Sequence, residues 1–109
     1  MKTNEVAGAL GLTCLNAPAE EREVTGGYAG DLLSWVIGRA EPGCAWMTIM
    51  SNVNVAAVAV MADVSMIVLA EDVRPDETLL RKAQENGLGL YISPMGAYEL
   101  SWRLHELLS

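Results

Sequence analysis

The sequence has no phenylalanine, a single histidine, two cysteines and few cations. Its 7 Lys and Arg residues face 14 Asp and Glu residues, which gives a formal net charge of −7 at pH 7. Nucleic-acid binding needs clusters of cations along the phosphates, and the cations here are scattered, so nucleic acid is not an expected partner. The same balance argues against docking on an anionic membrane surface.

The chain also lacks a secretory signal and a bilayer-spanning run. Its polar start, Met1 to Glu5, is not followed by an apolar segment with a cleavage site. The apolar stretch from Val53 to Ala70 is interrupted by polar residues and is better explained by a buried helix and a buried strand. We therefore expect a soluble, cytoplasmic protein. With no C-x-x-C motif, Cys14 and Cys44 predict two buried thiols, without a disulfide or a metal.

Hydrophobic residues make up 51% of the 109 residues, enough for one core and one domain over residues 1–109. Strand-length and helix-length patterns alternate from end to end, which predicts a three-layer α/β/α sandwich with a mostly parallel sheet of about five strands. The predicted strands are Leu12–Leu15, Arg22–Thr25, Cys44–Met50, Ser65–Ala70 and Leu88–Ile92. The predicted helices start near Thr3, Tyr28, Asn52, Pro75 and Ser93, and the second, Tyr28 to Ala40, turns Leu32, Leu33, Val36 and Ile37 inward.

In an open parallel sheet, ligands bind at the carboxyl ends of the strands, where helix N-termini favour anions. We place the predicted strand-to-helix turns at that edge. The Gly pair lets a ligand approach the backbone, although the local sequence favours a plain tight turn. Small polar residues there also act as helix caps. The candidate ligand-binding residues are Thr25, Gly26, Gly27, Ser51, Asn52 and Ser93.

Catalytic groups are scarce at this predicted edge. The only histidine, His105, falls near the end of the last helix, where a cation suits the helix dipole, and we expect it to lie far from the edge. No Ser–His or Cys–His pair can then form there. Glu71 and Asp72 are the only paired acids available, and Asp31 has no predicted role beyond favouring a helix N-terminus. We predict no catalytic residue, no cofactor and no enzyme activity.

The last helix carries two side-chain stripes. Ala97, Leu100, Ser101, Leu104 and Leu108 recur at helical spacing and should face the sheet. Tyr98, Trp102 and His105 form a second stripe beside them. Aromatic residues at the border of a core stripe either complete the core or contact another chain. We predict a homo-oligomer, most simply a dimer, with Tyr98 and Trp102 at the interface.

The run VTGGYAGDLLS, from Val24 to Ser34, resembles the glycine-rich segment of the DRTGG domain family. Further similar segments follow in the same order, and the resemblance extends over roughly Val6 to Leu108. It rests on MTI at 47–49, MIVL at 66–69, PDE at 75–77 and ISPM at 92–95. The family is similar to the N-terminal half of HPr kinase/phosphorylase and occurs beside CBS domains in family II pyrophosphatases. The resemblance implies a regulatory, oligomerising domain that does not itself catalyse a reaction, with adenine-nucleotide sensing in the pyrophosphatase setting.

Two departures from the family pattern concern the ligand. The family's Asp–Arg pair corresponds to Ser51–Asn52, and its Thr–Gly–Gly falls where Glu71 and Asp72 stand. An arginine that would bind an anion is thus replaced.

The sequence leaves two hypotheses for the function: a regulatory domain binding a small ligand such as an adenine nucleotide, or an accessory module docking on a redox or metabolic enzyme. Stand-alone DRTGG proteins encoded beside iron-only hydrogenase subunits motivate the second.

Overall fold

The computed structural model describes residues 1–109 as five strands alternating with five helices. The strands are β1 (Thr13–Asn16), β2 (Gly27–Ala29), β3 (Ala45–Thr48), β4 (Met66–Leu69) and β5 (Leu90–Ile92). The helices are α1 (Thr3–Leu10), α2 (Leu33–Arg39), α3 (Asn54–Ala62), α4 (Glu77–Asn86) and α5 (Ala97–Leu108). None of the helices combines the length and apolarity that a bilayer span requires.

The strands form one sheet in the order β1-β5-β4-β3-β2. Strands β2 to β5 are parallel, and β1 pairs antiparallel with β5. The chain therefore steps in one direction from β2 to β5 through α2, α3 and α4. Crossovers of one hand that step in one direction place their helices on the same face of the sheet.

Two hydrophobic cores lie on the two faces of the sheet. One joins Val36 of α2 and Leu79 of α4 to Trp46 of β3. The other joins Val6 of α1 and Leu104 of α5 to strand residues on the opposite face. The central strands β3 and β4 are buried on both faces, which explains their unbroken apolar sequence. The predicted three-layer α/β/α sandwich with a mostly parallel five-stranded sheet is confirmed.

The region around the glycine pair differs from the prediction. Arg22–Thr25 is not a strand, and its amides bond instead to the N-terminal segment and to Gly43. Strand β2 begins at Gly27, where a turn was expected, and includes Tyr28 and Ala29, which were predicted to be helical; α2 starts only at Leu33. Only part of the predicted inward face is buried: Leu32 precedes the helix and is 56% exposed, and Ile37 within the helix is 40% exposed.

The two cysteines differ in solvent exposure. Cys44 is buried beneath α2 and α3, as predicted, but Cys14 is exposed. Cys14 lies on β1, an edge strand whose side chains are only partly covered, and the prediction of a second buried thiol is wrong. Glycine marks the ends of two helices as predicted: α1 ends at Gly11 and α4 at Gly87, and both glycines have positive φ.

Candidate functional site

The six predicted ligand-binding residues fall at two separate places. Ser51, Asn52 and Ser93 follow β3 and β5 and lie at the carboxyl edge of the sheet, as expected. Thr25 and Gly26 precede β2 and therefore lie at the opposite, amino end, where Gly27 pairs with Ala45, the first residue of β3. The prediction that all six frame one pocket is wrong, because Gly27 opens a strand instead of ending one.

The carboxyl edge offers no cavity. None of the four cavities in the molecule is lined by Ser51, Asn52 or Ser93. The Asn52 side-chain oxygen accepts a hydrogen bond from the Asn54 amide at 2.9 Å, and the buried Ser93 hydroxyl oxygen accepts one from the Met95 amide at 3.0 Å. These polar atoms shape local turns and do not cap the helices as predicted, because the N-cap residues are Val53 for α3 and Gly96 for α5.

Asp31 has a larger structural role at this edge than the sequence indicated. Its Oδ1 accepts hydrogen bonds from the Thr48 hydroxyl at 2.8 Å and from the Ile49 amide at 2.9 Å. Asp31 lies before α2 and not within it. The carboxylate therefore ties the end of β2 to the end of β3.

Glu71 and Asp72 adopt a backbone conformation that favours glycine. Their φ angles are 59° and 58°, in the left-handed region that costs most L-residues energy. The amide of Glu71 donates to the Met95 carbonyl oxygen, and the amide of Asp72 donates to the Ser93 carbonyl oxygen. These are the positions at which the family resemblance places two glycines, and the backbone has a glycine-like conformation although the side chains are acidic.

A groove of about 490 Å³ lies instead between the edge of β2 and the last turns of α5. We call it the β2–α5 groove. On the sheet side its lining residues are Thr25, Gly26, Gly27, Ala29 and Met47. On the helix side they are Ser101, Leu104, His105 and Leu108, with Ser109 beyond. The volume falls within the range of small-molecule sites, and its apolar walls with a few polar groups fit that class.

The position of His105 differs from the prediction. It lines the β2–α5 groove together with Thr25, Gly26 and Gly27, whereas it was expected to lie far from them. The reason is that β2 is the outermost strand, and α5 begins after β5 and packs back across β3 and β2. The glycine pair singled out by the sequence and the only histidine therefore meet at one groove.

The hydroxyl groups of this groove are already engaged as donors. The Ser101 hydroxyl donates to the Ala97 carbonyl oxygen at 2.6 Å, and the Thr25 hydroxyl donates to the Pro42 carbonyl oxygen at 2.8 Å. A serine nucleophile with a histidine base requires a hydroxyl that donates its proton to the imidazole. Neither of these hydroxyls donates to His105. The groove is suited to binding.

A second cavity, of about 320 Å³, lies at the amino ends of β4 and β5 and includes Arg22. The Arg22 guanidinium donates to the Val64 carbonyl oxygen at 2.9 Å and lies 3.1 Å from the Asp63 carboxylate. That cation is neutralised and serves to tie two loops together. The cavity therefore has no free positive charge for an anionic ligand.

The two predicted interface residues, Tyr98 and Trp102, lie on the outer face of α5. Tyr98 is 85% exposed and Trp102 is 45% exposed. The neighbouring stripe behaves as predicted, since Leu100 and Leu104 are buried against the sheet. Two aromatic side chains one helical turn apart are thus open to solvent, as a contact with another chain would require.

The fold defines the class of protein: a three-layer α/β/α domain with one antiparallel edge strand. It is similar to the crystal structure of the CBS and DRTGG domains of the regulatory region of Clostridium perfringens pyrophosphatase complexed with the activator diadenosine tetraphosphate. The TM-score is 0.76 at 11% sequence identity, over 94% of this chain and 45% of that chain. The chain thus spans less than half of that neighbour, and the likeness shows a related fold.

No family model matches the chain, and no curated protein matches it. The predicted resemblance to DRTGG domains is therefore supported at the level of the fold. Membership of that family remains a prediction.

Proposed function

We propose that the chain is a non-catalytic regulatory domain that binds a small ligand, an adenine nucleotide, in the β2–α5 groove. The observation that carries the proposal is the groove itself, which combines about 490 Å³ of space with exposed backbone at Gly27 and Ala29 and one titratable side chain, His105. The related fold in a pyrophosphatase regulatory region that binds diadenosine tetraphosphate supports a nucleotide as the ligand.

The proposal moves the ligand away from the carboxyl edge of the sheet. That edge has no cavity, and its acids Glu71 and Asp72 would repel phosphates. No Asp or Glu side chain lines the β2–α5 groove. A non-catalytic role is supported by the engaged hydroxyls of Thr25, Ser101 and Ser109, since each of them donates to a backbone carbonyl oxygen and none donates to the His105 imidazole.

A thermal-shift screen against nucleosides, nucleotides and inorganic phosphate tests this function. A ligand at a hundredfold excess over its Kd should stabilise the fold by about 2.7 kcal/mol. Ala29→Trp should abolish the shift, because residues 27 and 29 share the face of β2 that borders the groove. Ala57→Trp is the matched control, since Ala57 is an exposed alanine on α3, across the sheet from the groove. The proposal fails if nothing shifts the melting temperature, or if both variants respond as the wild type does.

A second candidate function, docking on another protein, is favoured by the outer face of α2 and α3. Helix α3 contains no charged residue, and Val60 and Met61 are 52% and 66% exposed; Trp35 of α2 is 50% exposed. Exposed apolar surface of this kind is typical of protein contacts. The partner is a further copy of the chain or an enzyme such as a redox enzyme.

Light scattering of three proteins separates the interfaces. If Tyr98 and Trp102 form the predicted dimer, Trp102→Ala should produce monomers while Met61→Lys stays dimeric. The opposite result would assign self-association to α3. If the wild type is monomeric at tens of micromolar, homo-oligomerisation through either face is ruled out at that concentration.

A further inference from the structure

The open edge of β2 carries backbone groups that no strand uses. Strand β2 ends the sheet, so only its β3 side is paired. The Ala45 amide donates to the Gly26 carbonyl oxygen, and the Gly30 amide donates to the Met47 carbonyl oxygen. Because groups alternate along a strand, the N–H and C=O groups of Gly27 and Ala29 face away from β3. Both residues are exposed, and both line the β2–α5 groove.

These outward groups match the edge of an adenine base. The Gly27 carbonyl oxygen and the Ala29 amide point to the same side of the strand and form an acceptor followed by a donor. Adenine presents the complement, with a donating exocyclic amine beside the accepting ring nitrogen N1. The two hydrogen bonds to adenine would satisfy the Gly27 carbonyl oxygen and the Ala29 amide, which otherwise bond only to water.

The walls of the groove suit a flat heteroaromatic base. Met47, Leu104 and Leu108 supply apolar surface, and His105 is the only ionisable side chain among the lining residues. With a single histidine and no Lys or Arg there, the groove is poorly equipped to grip several phosphates. The base must then provide the recognition, with phosphates extending into solvent.

We propose that the β2–α5 groove recognises the adenine base of its ligand through the Gly27 carbonyl and the Ala29 amide, so that the nucleoside and not the phosphate chain determines affinity. This inference rests on the proposed function and specifies its ligand chemistry. It predicts that adenosine and ATP bind with affinities within about tenfold of each other, because a contact between a phosphate and the exposed His105 is worth about 1 kcal/mol or less.

Base analogues test the recognition on the unaltered chain. Isothermal titration should show inosine and N6,N6-dimethyladenosine binding at least about tenfold more weakly than adenosine, since each analogue lacks the amine that donates to the Gly27 carbonyl. Equal affinities for the three nucleosides would overturn the inference while leaving a nucleoside site, and with it the proposed function, intact. Binding of phosphate or of ribose 5-phosphate with the affinity of AMP would also overturn it.

A proline substitution tests the second proposed hydrogen bond, the one donated by the Ala29 amide. Ala29→Pro removes the outward amide without removing a sheet hydrogen bond, which edge strands tolerate. Adenosine affinity should fall at least about tenfold in Ala29→Pro and stay within about twofold in Ala57→Ser, which changes an exposed alanine outside the groove. If Ala29→Pro unfolds, the analogue titration decides. Equal adenosine binding in both variants would overturn the inference, and binding of no small molecule by the wild type would overturn the proposed function as well.

Discussion

Gly27 of β2 lies directly against Leu104 of α5. A Cβ at Gly27 would come within 2.7 Å of Leu104 Cδ2 and 3.3 Å of Met47 Cε, closer than side-chain carbons pack. The glycine therefore allows the last helix to close over the outermost strand. Both residues line the β2–α5 groove, so the same glycine serves both packing and the proposed site.

We predict that Gly27→Ala lowers the free energy of unfolding by about 1–3 kcal/mol through overpacking against Leu104. Gly26→Ala is the matched control, because nothing lies within 4 Å of a Cβ at that position; its effect should stay within about 0.5 kcal/mol. In a Leu104→Ala background, Gly27→Ala should cost much less, since the clashing atoms are gone. Urea denaturation of the wild type and the four variants measures these costs. Equal costs of Gly27→Ala in both backgrounds would contradict the contact.

The sequence was most informative where a segment's structure depends on its own residues. The apolar runs around β3 and β4 reflect burial on both faces, and Gly87 ends α4 as its turn chemistry indicates. The glycine pair was misread as a strand end because a strand starting at glycine has weak local propensity. What makes Gly27 a strand residue is its register with Ala45 and its contact with Leu104, both long-range.

The candidate site was only partly predictable for the same reason. Thr25, Gly26 and Gly27 were identified from the backbone freedom of glycine, and all three line the groove. His105 was assigned elsewhere, because no local pattern shows that α5 packs back to the β2 edge. The helical stripe containing Leu104 was the one available signal, since it marked which side of α5 faces the sheet.

Asp72 provides a test of backbone conformation. Its φ of 58° favours glycine, so Asp72→Gly should raise the free energy of unfolding relative to Asp72→Ala by about 1 kcal/mol. Both variants remove the same carboxylate and its ion pair with Arg74, so their difference isolates the backbone. Thermal or urea denaturation provides the comparison. An Asp72→Ala protein as stable as Asp72→Gly would argue against the left-handed conformation.

Asp31 should contribute to stability through its two hydrogen bonds. Asp31→Ala leaves the Thr48 hydroxyl and the Ile49 amide without their acceptor, at a cost of about 1–3 kcal/mol. Asp31→Asn keeps an accepting oxygen and should retain at least half of that stability. Chemical denaturation of the three proteins tests this, and equal stability of Asp31→Ala and wild type would show that water replaces the carboxylate.

Alkaline pH should destabilise the fold through two buried groups that lose a proton at high pH, the Cys44 thiol and the Tyr91 phenol. Burial raises the pKa of the Cys44 thiol from 9.0 to about 11. Burial, followed by the nearby Cys14 and Glu21, raises the pKa of Tyr91 from 10.0 to about 12. Because the folded state holds these protons more tightly, the stability from Cys44 is complete below pH 9.0 and is lost as the pH rises towards 11.

The Cys44 contribution can be isolated by mutation. Cys44→Ala should lower stability at neutral pH but flatten the fall between pH 9.0 and 11, since no thiol remains to titrate. Val55→Ala is the control, because it removes buried apolar surface from the same core as Cys44 without removing a titrating group, so its slope should match that of the wild type. Denaturation curves across this range measure the slopes. Identical slopes in Cys44→Ala and wild type would contradict the burial of the thiol.

The location of the ligand is the central claim, and a nuclear magnetic resonance titration of the backbone amides with adenosine tests it most directly. We expect the largest chemical-shift changes at Gly27, Ala29 and His105, with little change at Ser51, Asn52 or Ser93. Changes concentrated at those carboxyl-edge residues, or no changes at saturating adenosine, would contradict ligand binding in the β2–α5 groove.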